Sequence, residues 1–298
     1  MKSVPERYFE LMSLDEPGID LAEIFPMVQD LDEAVQSLEV LRECIDSFRP
    51  FNEAQVSKLR EAYDVQYTYE SNRIEGNTLT LQETAMVVNE GLTIAGKSLR
   101  EHLEAKNHSQ SIQLIRDLVR NQAALNISLI QRIHATVLAA IDTENAGKFR
   151  RVSVEISGSR HYPPQPKVLD QLMNDYIKFY DDNAGLLPDV LLAAQMHQKL
   201  VHIHPFIDGN GRTARLIMNF ILMKSGFPIA NLKGDHVSRQ DYYRTLETAH
   251  VEKDIEPFQL LIINSVRESC LSWLKNISMN LESETGELFF EIVSDYMD

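Results

Sequence analysis

The chain has 298 residues, of which 44% are hydrophobic and 24% charged, and its formal net charge is −15. This length and composition suit one large globular domain or two modest ones, each with a proper core. The negative balance argues against nucleic acid or an anionic membrane as partner, although a local cluster of arginines can still hold a nucleotide. Two cysteines, Cys44 and Cys270, are too few and too distant for a disulfide framework or a cysteine zinc site. The first residues, MKSVPERYFELMSLDEPG, are acidic and have no apolar centre, unlike a secretory leader. The apolar run LIMNFILM is too short to span a bilayer and is interrupted by Asn219. A cytoplasmic location is the expectation.

Helical periodicity dominates the chain, with no repeat or low-complexity segment. Residues 27–48 read as an acidic amphipathic helix stopped near Pro50, and 52–71 as a second with Asn52 as N-cap. Gly76-Asn77 ends that helix, and Thr80 with Glu83 forms a capping box for the next. A third capping signal, Ser98 with Glu101, opens a helix over 98–119, and another follows over 126–141. His102, His108 and His134 fall within these helices without partners at metal spacing, so they read as surface or satisfied core histidines. Residues 150–162 then alternate Val152, Val154 and Ile156 with polar residues around Ser157-Gly158-Ser159, ahead of Pro163-Pro164. That pattern predicts a β-hairpin.

Two further helices, 187–203 and 212–224, flank the stretch His204-Pro205-Phe206-Ile207-Asp208-Gly209-Asn210-Gly211-Arg212-Thr213-Ala214-Arg215. Pro205 biases His204 away from helical dihedrals, so the stretch is a loop between two helices. Gly209 and Gly211 allow successive amide hydrogens to converge on an anion, and the following helix N-terminus favours a phosphate. Arg212 and Arg215, at adjacent positions on one helix face, can reach over that end. Asp208 is the hard oxygen ligand that Mg²⁺ uses beside phosphate oxygens. His204 can take a proton from a hydroxyl, and the helix C-terminal dipole beside it would favour its protonated form. Phe206 reads as the anchor that holds the loop down. His197, His202 and His204 are spaced five and two apart, which does not put imidazoles on one helix face for zinc.

These residues resemble the Fic family signature, His-x-Phe-x-(Asp/Glu)-Gly-Asn-Gly-Arg-x-x-Arg, at every fixed position. The resemblance implies transfer of AMP from ATP to a Ser, Thr or Tyr hydroxyl of a target protein. It implies His204 as base, Asp208 as Mg²⁺ ligand, and Gly209, Asn210 and Gly211 around the α-phosphate. Arg212 and Arg215 would hold the β- and γ-phosphates. Upstream, Ser71, Glu75 and Gly76 meet the family's inhibitory motif, (Ser/Thr)-x-x-x-Glu-(Gly/Asn), in the version that precedes the catalytic core. A carboxylate paired with Arg215 would take the guanidinium from the γ-phosphate. Some family members with this arrangement also remove AMP, with the glutamate orienting water. The hairpin corresponds to the family's flap, whose edge, here Ile156, Ser157 and Gly158, docks a target strand. A helix opening at Ser238 brings Tyr242, Tyr243 and His250 where the family walls the adenine. His250 stands where Asn is common, which leaves the base specificity open.

The resemblance covers roughly residues 65–265 and implies an all-α, Fic-type bundle with one small β-hairpin flap and added N-terminal helices. The expected organisation is an N-terminal helical region 1–64, an inhibitory helix and connector 65–97, a catalytic core 98–265, and C-terminal helices over 266–298. Within the last stretch, 257–277 and 283–297 read as helices. A homodimer is implied by the resemblance alone. Two other functions stay open: transfer of UMP, phosphate or phosphocholine, and a regulatory module that senses nucleotide without turnover.

Overall fold

The computed structural model describes residues 30–278 except Phe48, Pro50 and Asn52. The expected N-cap at Asn52, the stop at Pro50 and the helix over 283–297 lie outside the described residues. Among those described, the chain is built from helices: α1 (Leu31–Ser47), α2 (Glu53–Ile74), α3 (Leu81–Ala85, continued as a π turn, Met86–Glu90), α4 (Leu99–Arg120) and α5 (Ile127–Val137), then α6 (Leu169–Asn183), α7 (Asp189–Ile203), α8 (Asn210–Lys224), α9 (His236–Glu247, with a π turn at Thr248–Glu252) and α10 (Glu256–Ser278). No described helix is long and apolar enough to cross a membrane.

The centre is α8. Every residue from Arg212 to Leu222 is buried, polar ones included. A helix buried on all sides needs neighbours on all sides, and α7, α4, α5 and α2 supply them. α10 closes one flank by packing on α1 and α7. Asn219, which interrupts the apolar run, has a structural use: its amide donates to Ala230 O at 3.0 Å and accepts from Ala230 N at 2.7 Å. Both expected capping boxes form, Thr80 with Glu83 and Ser98 with Glu101. α9 starts earlier than expected, capped by Asp235 rather than opened by Ser238. α6 carries none of the signals used above, and sequence reasoning passed over it.

The expected hairpin is corrected. Residues 151–165 form no strand ladder. The turn itself is present, with Ser159 N donating to Ile156 O at 3.1 Å and Gly158 at φ +78°. The carbonyls a partner strand would use are partly taken by Arg150, whose guanidinium donates to Val152 O at 3.0 Å and Pro164 O at 2.5 Å. Pro163 and Pro164 bring no N–H to a ladder either. The segment is a loop laid over the α7–α8 junction.

Candidate active site

The loop between α7 and α8 is held from below by a stack. The Phe206 ring, fully buried, lies flat on His134 with centroids 3.6 Å apart and 6° between planes, and Phe149 packs on it at 5.5 Å. His134 bonds at both nitrogens: Nδ1 accepts from Gly147 N at 2.9 Å, and Nε2 donates to Asp208 O at 2.9 Å. It is thus a satisfied core histidine, as expected, and it also props the loop. Above it, Arg150 Nε donates to His204 O at 2.8 Å and Arg150 N to Pro205 O at 2.9 Å. Arg150 therefore fixes the backbone beside the expected base, a role that no sequence motif announced.

The Asn210 side chain is spent on the loop itself: Oδ1 accepts from Phe206 N and Nδ2 donates to Phe206 O, both at 2.9 Å, and the residue is buried. The amide closes the loop on itself. Asn210→Ala would strip both Phe206 backbone groups of their partners, at a cost of about 2–4 kcal/mol. Thermal unfolding should show a Tm lower by several degrees; an unchanged Tm would refute this role.

What can hold a phosphate is the start of α8. Gly209 caps the helix at φ +76°, and Thr213 N takes Gly209 O, so the N–H groups of Asn210, Gly211 and Arg212 have no partner in the helical ladder. Arg212 is buried and only loosely held, 3.4 Å from Asp208 Oδ1 and 3.5 Å from Glu104 Oε1. Its Nε and Nη1 have no hydrogen-bond partner. Buried donors left over beside a helix N-terminus fit an anion.

That position is occupied by a side chain. Arg215, with no exposure, donates Nη2 to Glu75 Oε1 at 2.6 Å and to Ser71 O at 2.9 Å. Its Nε reaches Ser71 Oγ at 2.9 Å and its Nη1 the Tyr242 hydroxyl at 3.2 Å. Burial would lower the Arg215 pKa, but the Glu75 carboxylate together with the Tyr242 and Tyr67 hydroxyls outweighs it, so the guanidinium stays charged. The same carboxylate presses on Gly211, where a Cβ would collide with Glu75 Oε1. Glu75 thus fills the space between Arg215 and the first turn of α8. It is delivered there by the end of α2, where Gly76 turns the chain at φ +97°. Gly234 lets the loop between α8 and α9 press on α2: a Cβ there would come within 2.8 Å of Glu70 O, and its N donates to Glu70 Oε2 at 2.7 Å.

His204 caps α7 in the left-handed region at φ +50°. Its Nδ1 lies 3.3 Å from Val201 O. A carbonyl only accepts, so Nδ1 carries the proton and Nε2 the lone pair. The expectation that the helix dipole favours the charged form is overturned: burial pushes the His204 pKa down to about 4, with Arg150 adding to the fall. Asp208 is drawn upward by burial but held below the usual carboxylate range by Arg212, the Gly209 N–H and Arg100. Its Oδ2 sits 2.5 Å from Arg100 Nη2. Arg100, on the first turn of α4, also pairs with the buried Glu104 at 3.0 Å.

Burial likewise brings His134 and His202 to about 4 and His250 to about 3. These folded values lie below the ordinary 6.5, so the stability tied to the neutral imidazoles is fully present above about pH 6.5. It is lost as pH falls through their folded values. Scanning calorimetry should therefore show Tm dropping steeply from pH 6.5 toward 4, and a flat Tm across that window would contradict the burial.

Tyr242, Tyr243 and His250 are spread over α9 and the π turn that follows it. Tyr242 is buried behind Arg215, its hydroxyl also 3.2 Å from His197 Nε2. Tyr243 is half exposed and donates to Ile74 O at 3.1 Å, tying α9 to the end of α2. His250 is buried and packs with His161 and His202. Ile156 is half-buried and Ser157 and Gly158 are exposed at the turn.

Residues 124–222 match the Fic/DOC family. The chain belongs to that family. It is 35% identical over 279 residues to a protein named protein adenylyltransferase Fic from Drosophila yakuba, covering 90% of this chain and 55% of that protein. The Drosophila melanogaster protein of the same name is 34% identical, covering 90% and 56%. The chain thus spans about half the length of the curated relatives it matches. Among solved structures, Fic-1 from C. elegans is similar at 28% identity with a TM-score of 0.73, covering 91% of this chain and 82% of that one. A Fic domain containing signaling protein from Bacteroides thetaiotaomicron, at 24% identity and TM-score 0.66, shares the fold. The Fic resemblance read from the twelve-residue loop is borne out, as is the all-α class.

Proposed function

We propose that this Fic chain is a protein adenylyltransferase that Glu75 holds in a low-activity state. The observation that carries the proposal is the 2.6 Å Glu75–Arg215 pair lying against Gly211, on the anion-binding end of α8. The adenylyltransferase relatives support the reaction, with ATP as substrate and a second protein as acceptor.

In this mechanism the free α8 amides, with Arg212 and Arg215, bind the phosphates. A Ser, Thr or Tyr hydroxyl of the target protein attacks the α-phosphorus. His204 Nε2 takes the hydroxyl proton, the new oxygen–phosphorus bond forms, the bond to the β-phosphate oxygen breaks, and pyrophosphate leaves. Asp208, ionised and 40% exposed, suits Mg²⁺ held between one carboxylate and phosphate oxygens. When bound, the ion would neutralise phosphate charge. Arg100 occupies the same carboxylate and must first swing away, which its own exposure allows. The exposed turn at Ser157 and Gly158 is the side from which a target segment would reach His204.

The test incubates the Glu75→Gly protein with Mg²⁺ and ATP labelled at the α- or the γ-phosphate. α-Label on protein, with a mass gain of one AMP, is the expected result. γ-Label would make the chain a kinase, and neither label despite ATP binding would support a nucleotide sensor.

A further inference from the structure

Three histidines from separate stretches meet beside the active-site loop, and none of them takes part in the bond-making or proton-transfer steps proposed above. His161 lies at the end of the turn segment, His202 in the last turn of α7, and His250 in the π turn after α9. Their ring centroids are 4.3 Å apart for His161–His202, 4.7 Å for His161–His250 and 5.0 Å for His202–His250. One ring nitrogen from each lies within 4.8 Å of the other two. Tetrahedral zinc with Zn–N near 2.0–2.1 Å sets ligand nitrogens about 3.4 Å apart, so modest ring rotation closes the gap.

The hydrogen bonds leave lone pairs free. His161 Nε2 lies 2.8 Å from His202 O, and His250 Nε2 lies 3.2 Å from Gln198 O. Both are therefore N–H donors, and Nδ1 of each ring is unprotonated. His202 Nδ1 is buried with no hydrogen-bond partner. Imidazoles anchored through one nitrogen to a backbone carbonyl are the form in which histidine binds metals. The backbone around them is braced: Arg160, next to His161, pairs with Glu247 at 2.8 Å and with Glu252 at 3.4 Å.

We propose that His161, His202 and His250 bind one divalent transition-metal ion, zinc by preference, which staples the turn segment to α7 and α9 beside His204. An all-imidazole set does not suit Mg²⁺ or Ca²⁺, which take oxygen ligands. The site is thus chemically distinct from Asp208. A fourth position is left to water.

The test strips the full chain with chelator and titrates it with Zn²⁺ by calorimetry, and with Co²⁺ by visible absorption. The expected result is one saturable site, tetrahedral by the cobalt spectrum, unaffected by excess Mg²⁺. His161→Ala, His202→Ala and His250→Asn should each weaken it by roughly 100-fold or more, while exposed His236→Ala should not. Zinc should raise Tm in the wild type and His236→Ala but not in the three ligand variants, whose metal-free Tm reports that they fold. No saturable binding, or binding that survives in all three variants, would mean an adventitious ion only and would overturn the site.

Discussion

Glu75→Gly is expected to raise transfer of α-label from ATP to protein by about 100-fold or more over the wild type. Arg215 is fully buried, and its Nη2 is engaged by Glu75 Oε1 at 2.6 Å, so a γ-phosphate can use it only by displacing the carboxylate. Nucleotide that binds with Glu75 in place must set its phosphates elsewhere, and a misplacement of about 1 Å at a reacting centre costs roughly 100-fold in rate. The variant should keep Arg215 in position, because Ser71 Oγ, Ser71 O and the Tyr242 hydroxyl all remain. It should lose some stability without nucleotide, since a buried guanidinium loses its counter-charge, and ATP should restore it. Equal labelling of the two proteins would sink the inhibitory role.

The second large effect is His204→Ala in the Glu75→Gly background. Loss of a positioned general base should cut the transfer rate by roughly 100- to 10,000-fold, with ATP affinity measured by calorimetry nearly unchanged. His204 touches no phosphate-binding donor; its Nδ1 faces Val201 O, and Arg150 holds its carbonyl. Because the imidazole titrates at about 4 in the free protein, it is neutral throughout the range from pH 6 to 8. The transfer rate should therefore show no His204 limb there. A limb near pH 6.5 that disappears with His204→Ala would show that the buried, neutral state is wrong.

How much of this was legible depended on distance along the chain. The loop from His204 to Arg215 packs its chemistry into consecutive residues, and turn, cap and cradle followed from residue type alone. Even there a further role of Asn210 stayed hidden, because only the folded loop shows its side-chain amide bonded to Phe206. Glu75 and Arg215 are 140 residues apart, and no periodicity links them; the family resemblance alone suggested the pair. Arg100 on Asp208, 108 residues away, had no such pointer. The same is true of the histidine trio, assembled from a loop, a helix end and a π turn. The hairpin failed for a different reason. Alternation at Val152, Val154 and Ile156 is a local signal, and Arg150 with two prolines removed the hydrogen-bonding partners a ladder needs. The π turns after α3 and α9 also lack a distinguishing signal in apolar spacing.

The central claim is that Glu75 occupies the place of an ATP phosphate at Arg215. Calorimetry of ATP and AMP binding to wild type and Glu75→Gly tests it most directly. Glu75→Gly should tighten ATP by about 10-fold or more, the worth of a charge-assisted hydrogen bond regained, and leave AMP unchanged. If ATP and AMP affinities shift together, or neither shifts, the carboxylate does not compete with the terminal phosphates and the account fails.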